Sequence, residues 1–135
     1  MSKENIKSSN KLSIILPAYN EGLHIYANLL KICDTLKTRD FEIIVVDDGS
    51  SDNTFSESRR ASKNGRPIKI VRLESNRGKG ASLFRGFEEA SGELIAFLDA
   101  DLEIAPQYIV RLLAAMKASN ADVVAGVKDP VTNRF

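Results

Sequence analysis

Short apolar blocks alternate along this chain with segments whose apolar positions recur every three or four residues. Leu12-Ser-Ile-Ile-Leu16 is brief, β-rich and followed by Pro17, so the pattern predicts a strand that stops there. Ile25, Leu29, Ile32, Cys33 and Leu36 then fall on one helical face, with Asn20 as the expected N-cap. Phe41-Glu-Ile-Ile-Val-Val46 predicts a second strand, apolar on both faces as buried parallel strands are. Asp47 to Asp52 turns into a helix ending near Gly65 and Pro67, and Ile68–Leu73 reads as a third strand. After the loop Asn76–Gly80, a helix is expected that carries Leu83, Phe84, Phe87 and Ala90, with Gly92 as its C-terminal cap. Glu93–Leu98 predicts a fourth strand. Pro106 opens a helix whose face is Ile109, Leu112, Leu113 and Met116, and Ala121–Gly126 predicts a fifth strand. Strand–helix alternation of this kind implies an α/β fold, a Rossmann-like, mostly parallel sheet with helices on both faces.

Composition narrows the class. At 135 residues the chain is expected to form one domain, residues 11–135, preceded by a flexible polar segment, residues 1–10. With 19 Lys+Arg against 18 Asp+Glu the net charge is +1, so no broad basic surface for nucleic acid is expected. The single Cys33 cannot form an internal disulfide, and no Cys/His cluster offers a zinc site. Leu94–Leu98 is the longest apolar tract, far short of the ~20 residues that cross a bilayer. These features favour a cytoplasmic protein, docking at most on a membrane face.

Ligands of open α/β sheets bind beyond the carboxyl ends of the strands. Three polar clusters, Tyr19-Asn20-Glu21, Asp47-Asp48 and Asp99-Ala100-Asp101, directly follow predicted strands and should converge on that edge. In an extended stretch Asp99 and Asp101 point the same way, and Glu103 continues the spacing. Like charges so placed repel unless a cation intervenes; Mg2+ or Mn2+, leaving positions open for phosphate oxygens, suits hard and sparse oxygen ligands. The alternative is that these acids solvate a loop and cap the helix at Pro106. A carboxylate of the Asp47-Asp48 pair can accept from a nucleobase ring N–H, which uracil and guanine carry, while Asp47 or Asp52 can equally cap the following helix. Tyr19 is either a stacking face for that base or a boundary residue with a wet hydroxyl.

Eight basic residues lie between Arg59 and Lys79, most of them expected to be solvated. Arg77 and Lys79 stand apart, because Asn76-Arg-Gly-Lys-Gly80 is a glycine-containing loop that opens a helix on the ligand edge, a setting suited to a phosphate. It does not match the P-loop spacing. His24 is expected at a surface or boundary and Cys33 in the core, and neither belongs to a nucleophilic arrangement.

Pro17-Ala-Tyr-Asn-Glu21, Val46-Asp-Asp-Gly-Ser50 with Asp52-Asn-Thr54, Asn76-Arg-Gly-Lys-Gly80 and Leu98-Asp-Ala-Asp-Leu102 together resemble glycosyltransferase family 2, nearest its polyprenyl (dolichyl) phosphate mannosyl- and glucosyltransferases. The resemblance implies the nucleotide-sugar half of a GT-A fold. It also implies an inverting, metal-dependent transfer of a hexose from a UDP- or GDP-sugar, within cell-wall or glycan assembly. By position it places Pro17, Tyr19, Glu21, Asp48, Arg77, Lys79, Asp99 and Ala100 around the nucleotide sugar, Asp99 and Asp101 at the chemistry, and Asp99, Asp101 and Glu103 at the metal. Glu103 departs from the glutamine common in the lipid-phosphate branch. Lys128 and Arg134 stand where relatives hold basic residues near the acceptor phosphate and diphosphate. A lipid-phosphate acceptor at the cytoplasmic membrane face and a homo-oligomer are expected partners. The competing readings are a non-catalytic nucleotide-sugar-binding module and a receiver-like signalling domain; in the latter the acids should follow the first and third strands rather than the second and fourth.

Overall fold

The computed structural model describes residues 10–126, so the expectations for residues 1–9, and for Lys128 and Arg134, lie outside the described residues. The chain divides into two compact units at Pro106. Lys7–Pro106 carries β1 (Leu12–Ala18), α1 (Ile25–Leu36), β2 (Phe41–Asp47), α2 (Thr54–Ala61), β3 (Ile68–Arg72), α3 (Lys79–Glu89) and β4 (Leu94–Phe97). The other unit carries α4 (Gln107–Ser119), which begins directly after Pro106 and buries Ile109, while Leu112, Leu113 and Met116 are half-buried.

The four strands form one all-parallel sheet in the order β3-β2-β1-β4. The two central strands are sealed on both faces. Leu12, Ile14, Ile15 and Leu16 of β1 and Ile43 to Val46 of β2 are all essentially inaccessible, as the unbroken apolar runs predict. Each such side chain contributes roughly 1.5–3 kcal/mol relative to an exposed one. Ser13 is the polar exception within β1; its hydroxyl donates to Glu42 at 2.7 Å and accepts the Gly92 N–H at 2.8 Å.

Pro17 does not end β1. The strand runs on to Ala18, with Pro17 opposite Val46. Lys11 and Ile15 turn their carbonyls toward β4, and Pro17, in phase with them, turns its backbone the same way. The β4 ladder has ended by then, at Ile15 opposite Phe97, so the missing proline N–H forfeits no sheet bond.

The structure departs from the sequence pattern at four further points. Asn20 is not a helix cap. It takes a left-handed conformation (φ 52°), and α1 begins only after His24. α3 does not turn its phenylalanines inward: Phe84 and Phe87 are 66 % and 58 % exposed, and the buried residues are Ser82 and Gly86. The reason is steric, since a β-carbon on Gly86 would come within 2.4 Å of Ile15 Cγ2, so only a small-residue face lets the helix approach β1 and β2 this closely. Gly92 is likewise a site of close approach to β1, with Lys11 O and Ser13 beside it, and not a left-handed cap. Finally, residues 121–126 form no strand; a strand persists only as a member of a ladder, and these residues are in none.

Candidate functional site

The strand order reverses between β1 and β4, and this is where an open sheet leaves a crevice at its carboxyl edge. A cleft of about 220 Å³ lies there. From the end of β1 come Pro17, Ala18, Tyr19 and Glu21; from the segment after β4 come Asp99, Ala100 and Asp101. Asp48 enters from β2, and Lys79 and Ser82 from the first turns of α3. Eight residues singled out from sequence thus share one cavity: Pro17, Tyr19, Glu21, Asp48, Lys79, Asp99, Ala100 and Asp101. Ala18 and Ser82 were not foreseen. A serine inside a helical pattern carries no signal of its own; the glycine four residues later, Gly86, is the one clue that this face lies close against the sheet.

The loops that present these groups are tied to one another. Asn20 N–H donates to Ser50 Oγ (2.9 Å) and its side-chain oxygen accepts Ser51 N–H (2.9 Å). Glu21 N–H donates to Thr54 Oγ1 (2.9 Å) and Gly22 N–H to Asp52 Oδ2 (3.0 Å). Asp52 also accepts the Thr54 N–H and hydroxyl, and these bonds, the hydroxyl's first, hold its carboxyl below the usual aspartate range. Of the two acids closing β2, Asp47 is wholly buried, accepts Ser50 N–H and lies 3.6 Å from the Arg72 guanidinium. Asp48 accepts Arg77 N–H (2.7 Å) on one oxygen and Gly78 N–H (2.9 Å) on the other. It therefore fixes the loop ahead of α3 while lining the cleft, and each oxygen keeps a second lone pair. Arg77 takes part through its backbone; its side chain is not among the cleft-lining groups.

The segment after β4 is a turn, not the extended stretch that the spacing suggested. Leu102 N–H donates to Asp99 O (3.1 Å), Leu102 is left-handed (φ 51°), and Asp101 Oδ1 accepts Glu103 N–H (3.0 Å). Asn28 holds the turn from α1 through its bond to Ala100 O (2.9 Å). Asp99 and Asp101 both reach the cleft, but the turn carries Glu103 out of the lining, so the same-side grouping of all three acids does not hold. Among the described residues no group of three or more His, Cys, Asp or Glu side chains is arranged to hold a metal ion.

Charge is concentrated at the cleft. Burial, and then the nearby Asp101 charge, push the Glu21 carboxyl above the usual glutamate range, against the opposing pull of His24. Lys79 Nζ lies 2.6 Å from Asp99 Oδ1. His24 is exposed at the start of α1, and Cys33 is half-buried, its thiol pushed up by burial.

A parallel α/β sheet with an acidic cleft at its switch point defines a Rossmann-like α/β domain. The chain belongs to glycosyl transferase family 2, whose family model matches residues 13–133. It is 35% identical over 116 residues to a dolichol-phosphate mannosyltransferase of Pyrococcus furiosus, covering 86% of this chain and 32% of that protein. It is 36% identical over 126 residues to an undecaprenyl-phosphate 4-deoxy-4-formamido-L-arabinose transferase of Serratia proteamaculans, covering 91% and 38%. Among solved structures it resembles a mannosyltransferase of Pyrobaculum calidifontis in complex with GDP-Man and Mn2+ (TM-score 0.70, 28% identity, 91% of this chain and 37% of that one). It also resembles glucosyl-3-phosphoglycerate synthase of Mycobacterium tuberculosis in complex with Mn2+, UDP and glucosyl-3-phosphoglycerate (TM-score 0.66, 26% identity, 84% and 42%). The chain spans about a third of the length of the curated relatives it matches. No helix among the described residues is long and apolar enough to cross a membrane.

Proposed function

We propose that this chain is the nucleotide-sugar-binding part of an inverting glycosyltransferase that passes a hexose from a UDP- or GDP-sugar to a polyprenyl phosphate at the cytoplasmic face of a membrane. The observation that carries the reading is the gathering of Tyr19, Glu21, Asp48, Lys79, Asp99 and Asp101 from separate crossover units into one cleft. Names among the relatives support the acceptor class, and GDP-Man, UDP and Mn2+ in the similar structures support the donor.

In this reading Tyr19 offers its ring to the base and Asp48 accepts a ring N–H. Asp99 lies toward the ribose and metal, and Asp101 with Asp99 holds a divalent cation, Mg2+ or Mn2+. The residues present suit such an ion: two hard carboxylates, Asp99 and Asp101, in an open site that leaves positions for phosphate oxygens. When bound, the ion stabilises the negative charge that develops on the leaving diphosphate. Lys79 and the first turn of α3 face the same anion. An acceptor phosphate is already ionised near neutral pH, so these residues need only position it and no side chain has to take its proton.

Calorimetric titration with UDP- and GDP-sugars, with and without Mn2+, tests the reading. Binding that strengthens with Mn2+ is expected, and Asp101→Ala should abolish the metal-dependent part. Absence of binding to either nucleotide would overturn the assignment, and an unchanged Asp101→Ala affinity would remove that residue from the metal site.

A further inference from the structure

The Lys79–Asp99 contact is the shortest ion pair among the described residues that involves the cleft, and it joins the two groups the donor site would use for opposite purposes. Lys79 opens α3 directly after Gly78, whose φ of 95° and bond to Asp48 fix where the helix starts. Asp99 leaves β4 and is held by the 99–102 turn. Both backbones are thus anchored, while both side chains are free to move: 62 % and 57 % of their surfaces are exposed. The ammonium lies against Asp99 in a cleft that Asp101, two residues further on, and Glu21 also line, so it is the positive charge set among these acids.

We infer, resting on the nucleotide-sugar reading above, that Lys79 is a built-in counter-cation that holds Asp99 until the donor arrives and then exchanges partners, moving to the diphosphate as Asp99 turns to the metal. The physical argument is one of charge. A divalent ion entering alone meets an acidic cluster already partly neutralised, with an ammonium 2.6 Å from one of its ligands, and both repulsion and the lost pair oppose it. A nucleotide diphosphate entering with the ion supplies a new partner for the ammonium, so the exchange costs little. The metal and the nucleotide are thereby coupled: each binds better with the other present, and the coupling is the same read from either side. Lys79 acts in this scheme on the order and selectivity of loading. A free divalent ion is disfavoured, and the metal–nucleotide pair is admitted.

The test separates this role from a purely structural one by the sign of two effects. Mn2+ binding to wild type, Lys79→Gln and Lys79→Arg is measured from the loss of the free-ion electron paramagnetic resonance signal, and UDP and GDP binding at saturating Mn2+ by calorimetry, with thermal melts as the fold control. Lys79→Gln should bind Mn2+ alone about two- to fivefold more tightly, the range an exposed pair supports. It should also bind the nucleotide more weakly, while Lys79→Arg stays near wild type in both. If Lys79→Gln weakens both ligands, or leaves Mn2+ affinity unchanged while wild type binds Mn2+ and nucleotide, the exchange is refuted and the donor-site reading stands. If wild type binds neither Mn2+ nor nucleotide, the donor-site reading falls and the exchange falls with it.

Discussion

The Glu21 carboxyl is held above the ordinary glutamate range first by burial and then by the Asp101 charge, so in the unliganded protein its ionisation works against the fold. Its unfolded-state pKa is the lower of the two. As pH rises from the ordinary glutamate value through the raised folded value, stability is therefore lost, and it stays lost above that point. Glu21→Gln should accordingly raise the melting temperature at neutral pH and leave it unchanged in acid, below both values. A pH series of thermal melts checks this, and a variant less stable than wild type at pH 7 would contradict the charge penalty. At this scale the sequence was informative where it broke its own pattern, since carboxylates and a tyrosine directly after apolar strands have to leave the sheet at its carboxyl edge. It was uninformative about partners. Nothing in Asp48 announces that both its oxygens carry backbone N–H groups of residues 77 and 78, and nothing in Lys79 announces Asp99. Glu103 misled for a definite reason: the alternation rule holds only in extended chain, and here Leu102 turns left-handed.

Among the elements, α3 shows best how packing overrides a hydrophobic count. Its two phenylalanines are its largest apolar side chains, yet the inward residues are Ser82 and Gly86, because Ile15 and Val46 leave no room for a β-carbon at position 86. Ile15 is itself sealed in the centre of β1 and cannot yield cheaply. Gly86→Ala should therefore destabilise the protein, the overpacking cost of about 1–3 kcal/mol exceeding the helix-propensity gain of roughly 1 kcal/mol. The loss should shrink in an Ile15→Ala background, where the clashing methyl is gone. Urea denaturation of the single and double variants measures both, and equal losses in the two backgrounds would show that the contact is not the cause. The strands were far more legible than this helix, because an unbroken apolar run of strand length has few other uses. Even so, Pro17 shows that a breaker halts a strand only where its missing donor faces a neighbour.

For the molecule as a whole, the β-α alternation already implied that the loops after β1, β2 and β4 would share one edge, and they do. What alternation cannot supply is the set of bonds between loops far apart in the chain, and those bonds give the cleft its shape. Thr54 is the junction. Fully buried at the start of α2, it donates its hydroxyl hydrogen to Asp52 and accepts the Glu21 N–H, so one oxygen couples the first crossover unit to the second. The Gly22 N–H on the other Asp52 oxygen makes the link double, and Asn53 fills the space that any side chain at Gly22 would need. Thr54→Val keeps the shape and removes the hydroxyl, leaving the Glu21 N–H without its acceptor at a cost of about 1–3 kcal/mol, while Asp52 keeps the backbone N–H of residue 54. Thr54→Ser keeps the hydroxyl and should stay close to wild type. Amide hydrogen exchange at Glu21 should quicken in the valine variant alone, ahead of global unfolding, because the loop loosens before the sheet does. Were the valine and serine variants to match in both stability and exchange, the packing of α2 rather than the hydroxyl bridge would be what holds the cleft's wall in place.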